Sequence, residues 1–310
     1  MDKTGLIWKF KVNRTLTFQE MSECFSIGKS VGEPFNALST IKMNSTYLEC
    51  CDKFYHGRGE ITAGGIYGFI LLSIALYMPV YEIFSWSTTP EYERGETLAF
   101  IIAIFAMVIP AMLYVWFTWL NKEVFRYTHY PIRFNRKTRR VHFFRLDGTV
   151  MSESWEKLFF TVGMGKEFKI LEVRCHRLAE DGRTVLETHA LPSLSRGDNA
   201  PAQWEFVRRY MEVGPAEVLP HIDHVLDVHI GQPGKRESFE HGYEMISKNE
   251  GSFMFYFFFF MSFPYVIGRW IAMRTCKQPV WPTEIEAECV IEPNDPYLVD
   301  AHHLPEGVKA

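Results

Sequence analysis

Residues 64–84 read GGIYGFILLSIALYMPVYEIF, and residues 97–120 read TLAFIIAIFAMVIPAMLYVWFTWL. The first run holds a single charge, Glu82 near its end, and the second holds none. As helices rising about 1.5 Å per residue, both can cross a hydrocarbon core of about 30 Å. Each carries one proline, Pro79 and Pro110, which membrane helices tolerate because neighbouring groups satisfy the freed backbone. Tyr114, Trp116 and Trp119 gather toward one end of the second run, and Tyr81 and Trp86 toward one end of the first. Amphipathic rings favour the headgroup level, so these read as interface anchors. A buried soluble hairpin would also be apolar. Two such runs only twelve residues apart instead predict a transmembrane helical hairpin, Gly64 to Phe84 and Thr97 to Leu120.

Charge orients the hairpin. The connecting loop, Ser85 to Glu96, sets Arg94 against Glu91, Glu93 and Glu96. After the second run come Lys122, Arg126, Arg133, Arg136, Lys137, Arg139 and Arg140, with Glu123 the one acid up to Arg140, and Lys53 and Arg58 precede the first run. Basic flanks stay in the cytosol, so both hairpin flanks are expected there and the acidic loop outside. A third apolar run, Ser252 to Met273, is long enough to span but contains Arg269 and has Lys248, Arg274 and Lys277 around it. Its phenylalanines and tyrosines before Pro264 favour a segment packed on the hairpin or lying at the interface over a third span.

The remaining composition sets limits. A net charge of −4 over 310 residues supplies no global basic field of the kind a nucleic-acid binder uses. Cys24, Cys50, Cys51, Cys175, Cys276 and Cys289 lack zinc-finger spacing, so reduced thiols are expected rather than a metal or disulfide framework. The first apolar run lies too far from the start for a secretory signal, and the N-terminus is expected to be retained.

From Tyr130 the pattern changes to short, turn-punctuated segments. Pro131 to Asn135, Arg140 to Leu146 and Thr149 to Trp155 read as strands, the last two joined at Asp147-Gly148. Phe168 to Arg177 and Thr184 to Leu191 make a further pair, and Ala200 to Met211 reads as an amphipathic helix capped by Asp198 or Asn199 and stopped at Gly214-Pro215. Leu6 to Phe18 and Thr46 to Tyr55 alternate like strands of the same sheet. The expected class is a membrane α+β protein. It comprises an N-terminal segment (1–62) joining the cytosolic sheet, the hairpin (63–121), a cytosolic β-meander domain with a closing helix (122–250), the aromatic segment (251–275) and a tail (276–310). By analogy the β-rich module looks like a pleckstrin-homology domain.

Chemistry-bearing patterns are few. His221, His224 and His229, with Asp223 and Asp227, have partial metal-ligand spacing but lack a general base and precede turn-rich sequence, so surface histidines are expected. Gly163-Met164-Gly165 reads as a loop without the Lys-Ser/Thr of a phosphate cradle, and no catalytic motif supports an enzyme or a cofactor. Trp155 reads as a core anchor. The basic stretch Arg133 to Arg140 reads either as a solvated, topology-setting turn or as a headgroup site formed by Arg136, Lys137, Arg139 and Arg140.

The runs NRKTRRVHFFRLDG (135–148) and WEKLFF (155–160), placed after a two-helix hairpin and preceded by NSTYLECCDKFYHGRG (44–59), resemble bacterial inner-membrane proteins of the DUF6708 type over roughly residues 40–250. That resemblance implies products often encoded beside type VI secretion effectors, and hence an immunity protein against a cognate toxin. The alternative is a lipid-sensing regulatory protein, and the expected partners are membrane lipids and a protein toxin.

Overall fold

The computed structural model describes residues 3–166, 170–192, 200–228, 237–250, 259–305 and 307–308. The chain begins with an arm. Strands Arg14–Thr15 (β1) and Cys24–Phe25 (β2) flank helix Phe18–Ser22 (α1). Thr17 starts that helix with a capping box, its hydroxyl accepting from the Glu20 N–H while the Glu20 carboxylate accepts from the Thr17 N–H. The strand expected over Leu6 to Phe18 therefore shrinks to two residues. From Ile7 to Asn13 no side chain is buried, and alternation without a buried face does not hold a strand.

Next come Thr40–Met43 (β3) and Tyr47–Cys50 (β4), then the apolar helices Glu60–Ala75 (α2), Tyr77–Phe84 (α3) and Arg94–Val115 (α4). A π-helical turn, Trp116–Leu120, and the short Asn121–Glu123 (α5) lead back to Ile132–Asn135 (β5). Strands Arg140–Phe144 (β6), Val150–Ser154 (β7), Leu158–Met164 (β8), Leu171–Leu178 (β9) and Thr184–Ala190 (β10) follow. Gly163 and Met164 thus finish β8 and are not a loop, because they pair with Glu172 and Leu171. Helices Ala200–Glu212 (α6), Pro215–Val218 (α7), Phe239–Glu250 (α8), Phe259–Thr275 (α9) and Thr283–Glu288 (α10) complete the order. Asp198 and Asn199, Ser252 to Phe258 and His229 lie outside the described residues.

The strands form two antiparallel sheets, ordered β3-β4-β5-β6-β7 and β1-β10-β9-β8-β2. Their inner faces and α6 enclose one core. Trp155 is fully buried there, stacked on Trp204 at 5.5 Å and edge-on to Phe134 at 6.1 Å. Burying each such ring is worth roughly 1.5–3 kcal/mol.

The hairpin interrupts this body at one place. β4 and β5 are neighbours, with Cys50 opposite Ile132 and Tyr47 opposite Asn135. The chain therefore leaves the sheet and returns to it at the same end. Two helices, Glu60–Phe84 and Arg94–Glu123, are long and apolar enough to cross a membrane, and only 22% and 11% of their most apolar windows are buried. A core helix would be mostly buried, whereas Leu71, Ile74 and Phe117 are each at least 60% exposed. Pro79 cannot donate to the Ala75 carbonyl, and the helix is broken there into α2 and α3.

Contacts at its base hold the hairpin's helices to each other and to their surroundings. The Glu123 carboxylate, at the end of the second long helix, accepts from the Gly59 and Thr62 N–H groups and the Thr62 hydroxyl, all at 2.7 Å. It caps the first turn of α2, satisfying donors that a helix cannot satisfy itself and opposing its dipole. Lys3 pairs with Glu60 at 2.6 Å. α9 crosses α2 so closely that a Cβ on Gly268 would lie 2.3 Å from the Gly59 carbonyl oxygen. The aromatic segment therefore packs on the hairpin. Glu123→Ala leaves buried donors unpaired, and thermal unfolding in detergent should register a loss of about 1–3 kcal/mol; an unchanged midpoint would mean that the cap does not hold the helices together.

Candidate binding cleft at the base of the hairpin

The N-terminal arm lies across the end of the body from which the hairpin leaves. Gly5 sits against Phe54, Phe10 lies under the Lys53 and Arg174 cations, and the Asn13 N–H donates to the Val185 carbonyl at 2.8 Å. Two cavities open beneath it. The larger, about 420 Å³, has an apolar wall of Phe10, Phe54, Tyr130, Ile132, Phe143 and Phe144. Its polar end is Glu187, which takes a two-nitrogen fork from Arg145 at 2.6 and 2.7 Å and a bond from His189 at 2.9 Å. Burial alone would raise the Glu187 carboxyl, but the Arg145 and His189 hydrogen bonds outweigh it and hold it well below the usual range.

The second cavity, about 340 Å³, is cationic: Lys9, Lys11, Arg14, Lys166 and Arg174 line it beside His176, and no carboxylate is among its described lining residues. Lys9, Phe10 and Thr188 line both cavities, so the two are neighbours with a shared wall. Two of the cations are held in place. Arg14 pairs with Glu20, and Arg174 donates through Nε to Glu172 at 2.8 Å and through Nη2 to the Met164 carbonyl at 2.7 Å. Glu172 is shared with Lys53 in a pair whose side chains are 3% and 2% exposed. Lys9, Lys11 and Lys166 are exposed and have no ion-pair partner among the described residues. The cavity thus carries a positive excess, since three of its five cations have no carboxylate against them among the described residues.

The four basic residues expected from the sequence lie elsewhere. Arg136 donates to the Val213 carbonyl at 3.2 Å, and Lys137 pairs with Glu292. Arg139 bonds Glu156 at 2.6 Å and Glu212 at 2.8 Å, while Arg140 bonds Glu288 at 3.0 Å. Their turn joins the far ends of β5 and β6, opposite the end that carries the hairpin. Arg133 is buried, its guanidinium between the Tyr47 and Trp281 rings and bonded to Glu49 at 2.8 Å. His221 ends a 3-10 turn, and the buried His224 gives its carbonyl to Asn36. Among the described residues no group of three or more His, Cys, Asp and Glu could hold a metal ion. All six cysteines are free, and only Cys24 is exposed.

Sequence reasoning missed the cleft because its cations come from distant segments: Lys9 and Lys11 from the arm, Lys166 after β8, Arg174 from β9. The one available signal was alternation of basic and aromatic residues in WKFK, Trp8 to Lys11.

Three buried histidines have a measurable consequence. Burial, and then the Arg58 guanidinium, push His129 down to about 3; burial, with Arg140 and Arg133, pushes His142 to about 4. His176 also falls to about 4, chiefly through burial and against the pull of Glu20. Unfolded histidines take up protons near pH 6.5, so below that pH the unfolded state binds more protons than the folded one. Stability should therefore fall as pH drops from about 6.5 to 4.5, a window above the usual carboxylate range. Melting curves of His129→Gln should show a shallower fall over that window; an identical slope would mean that His129 takes up its proton equally in both states.

A family of unknown function, DUF6708, matches residues 109–293, more than half of the chain. The match covers residues 135–148 and 155–160 and extends past the aromatic segment, but it begins after residues 44–59. No curated protein and no solved structure matches the chain.

Proposed function

The chain belongs to DUF6708, and from that premise we propose that it is a membrane-anchored binding protein of the bacterial inner membrane. In this reading the hairpin crosses the bilayer, its flanks and the body are cytosolic, and the body binds rather than catalyses. The observation that carries it is the pair of long, exposed apolar helices inserted between two paired strands and clamped to each other at their base by the buried Glu123 carboxylate. Exposed apolar surface of this extent needs lipid or protein around it. We read the two sheets closed by α6 as a pleckstrin-homology-like arrangement, by analogy of architecture alone.

The partner assigned to this body is a cognate toxin delivered by type VI secretion, which makes the chain an immunity protein. Its support is the setting in which proteins of this resemblance are often encoded. Deleting the gene should leave cells open to killing by toxin-producing siblings, and expression of the intact chain should restore survival. A deletion strain that survives contact would remove this reading. The second reading, headgroup recognition on the cytosolic leaflet, is favoured by the cationic cavity beneath the N-terminal arm. Lys137, Arg139 and Arg140 already pair with carboxylates of the chain and Arg136 bonds the Val213 carbonyl, so the cavity supports this reading better than their turn does.

A further inference from the structure

We propose that the two neighbouring cavities, which share the wall formed by Lys9, Phe10 and Thr188, act as one site for an anionic amphiphile. Its phosphate lies among Lys9, Lys11, Lys166 and Arg174, and its apolar part rests against Phe54, Tyr130 and Phe143. This deepens the headgroup reading and rests on it.

Four observations converge. The first is charge: five cations line the smaller cavity with no carboxylate among its described lining residues, and three of them lack a partner among the described residues. Unpaired ammonium groups around a concavity attract a phosphate more strongly than the same groups spread over a convex surface, because the low-dielectric walls focus the field. The second is preorganisation. Arg174 is fixed through Nε and Nη2, which leaves Nη1 without a partner among the described residues and spares a ligand the ordering of that side chain.

The third observation is polarity. The larger cavity has an aromatic wall of Phe10, Phe54, Tyr130, Phe143 and Phe144, with Asp52, Asp147 and Glu187 also in its lining, and it shares Lys9, Phe10 and Thr188 with the cationic one. A bare phosphate would leave that apolar volume unused, whereas an amphiphile fills both parts. Each volume is within the range of about 300–1,000 Å³ typical of ligand pockets. The fourth is position. Phe54 lies on the segment leading from β4 into α2, and Tyr130 on the segment returning to β5. The arm above them is pinned to the first turn of α2 by Lys3 and Glu60. A site beside the entry points of a membrane hairpin is within reach of lipid headgroups, and the anionic lipids of the cytosolic leaflet carry both required chemistries.

The test uses the full chain in phosphatidylcholine nanodiscs, titrated calorimetrically with dihexanoyl phosphatidylglycerol, dihexanoyl phosphatidylcholine, glycerol phosphate and inorganic phosphate. The anionic short-chain lipid should bind, and the other three should bind at least about tenfold more weakly. The variant Lys9→Gln, Lys11→Gln, Lys166→Gln removes three exposed, unpaired charges without touching the core. It should bind the anionic lipid about a hundredfold more weakly. Inorganic phosphate binding as tightly as the lipid would overturn the proposal in favour of a free-phosphate site. Equal binding of both short-chain lipids, or an unchanged variant, would overturn it outright. The same nanodisc preparation reports whether the hairpin is embedded, so lost binding by an embedded chain counts against the cleft and leaves the anchor standing.

Discussion

Arg269→Met is expected to lower the stability of the detergent-solubilised protein by about 3–5 kcal/mol, because it strips the partner from a buried carboxylate. The Arg269 side chain is fully buried, and that of Glu237 is 4% exposed. The guanidinium gives two hydrogen bonds to Glu237, at 2.7 and 2.9 Å, a third to the Tyr55 carbonyl at 2.6 Å, and lies over the Tyr55 ring. An arginine inside an aromatic apolar helix would be a liability in lipid. Here it joins α9 to the segment entering α2 and to Glu237, two residues before α8. Since the penalty comes mainly from orphaning Glu237, the double variant Arg269→Met, Glu237→Gln should recover most of it. Thermal midpoints of the two singles and the double close the cycle. A single variant as stable as the parent would show that the pair does not clamp the hairpin.

Gly268→Val should be as damaging for a different reason. Its Cβ would meet the Gly59 carbonyl oxygen at 2.3 Å and the Ala63 nitrogen at 2.8 Å, both backbone atoms of the neighbouring segment. Gly59 meets the reciprocal constraint, since its φ of 101° is in the left-handed region and its own Cβ would lie 2.2 Å from the Arg269 nitrogen. Backbone cannot turn away as a side chain can, so α9 must separate from α2, with a loss of about 3 kcal/mol or more. The protein should then leave a sizing column in detergent as aggregate. Gly95→Ala is the control: its Cβ would meet nothing within 4 Å in the first turn of α4, and it should be neutral or slightly stabilising. Matching elution profiles for the two variants would contradict the close crossing.

How much of this was legible follows from range. The hairpin announces itself within 57 consecutive residues, Gly64 to Leu120, since length and lack of charge are local properties. The meander is local as well. Expected strands at Pro131 to Asn135, Arg140 to Leu146 and Thr149 to Trp155 match Ile132–Asn135, Arg140–Phe144 and Val150–Ser154 to within two residues at each end. The expected helix Ala200 to Met211 ends one residue later, before Gly214-Pro215. Pairings across long separations were not legible. β1 joins β10 across about 170 residues, and Glu288 of α10 reaches back to Arg140. That second contact matters for function. A basic run read alone does not show its counter-charges, and those of Lys137 and Arg140 lie in a tail whose helix no sequence pattern had marked. The cleft was hidden for the same reason, since Lys9 and Lys166 become neighbours only when the arm closes over β8 and β9.

The central claim is that the two apolar helices form a membrane hairpin with the body on one side and the acidic loop on the other. Single cysteines at Glu91→Cys in the loop and Glu180→Cys in the β9–β10 turn, placed in a Cys24→Ser background, test it with a membrane-impermeant maleimide. The account predicts that in intact spheroplasts Glu91→Cys is labelled at once and Glu180→Cys only after lysis. Protection of Glu91→Cys until lysis, or equal labelling of both sites before it, would contradict the account.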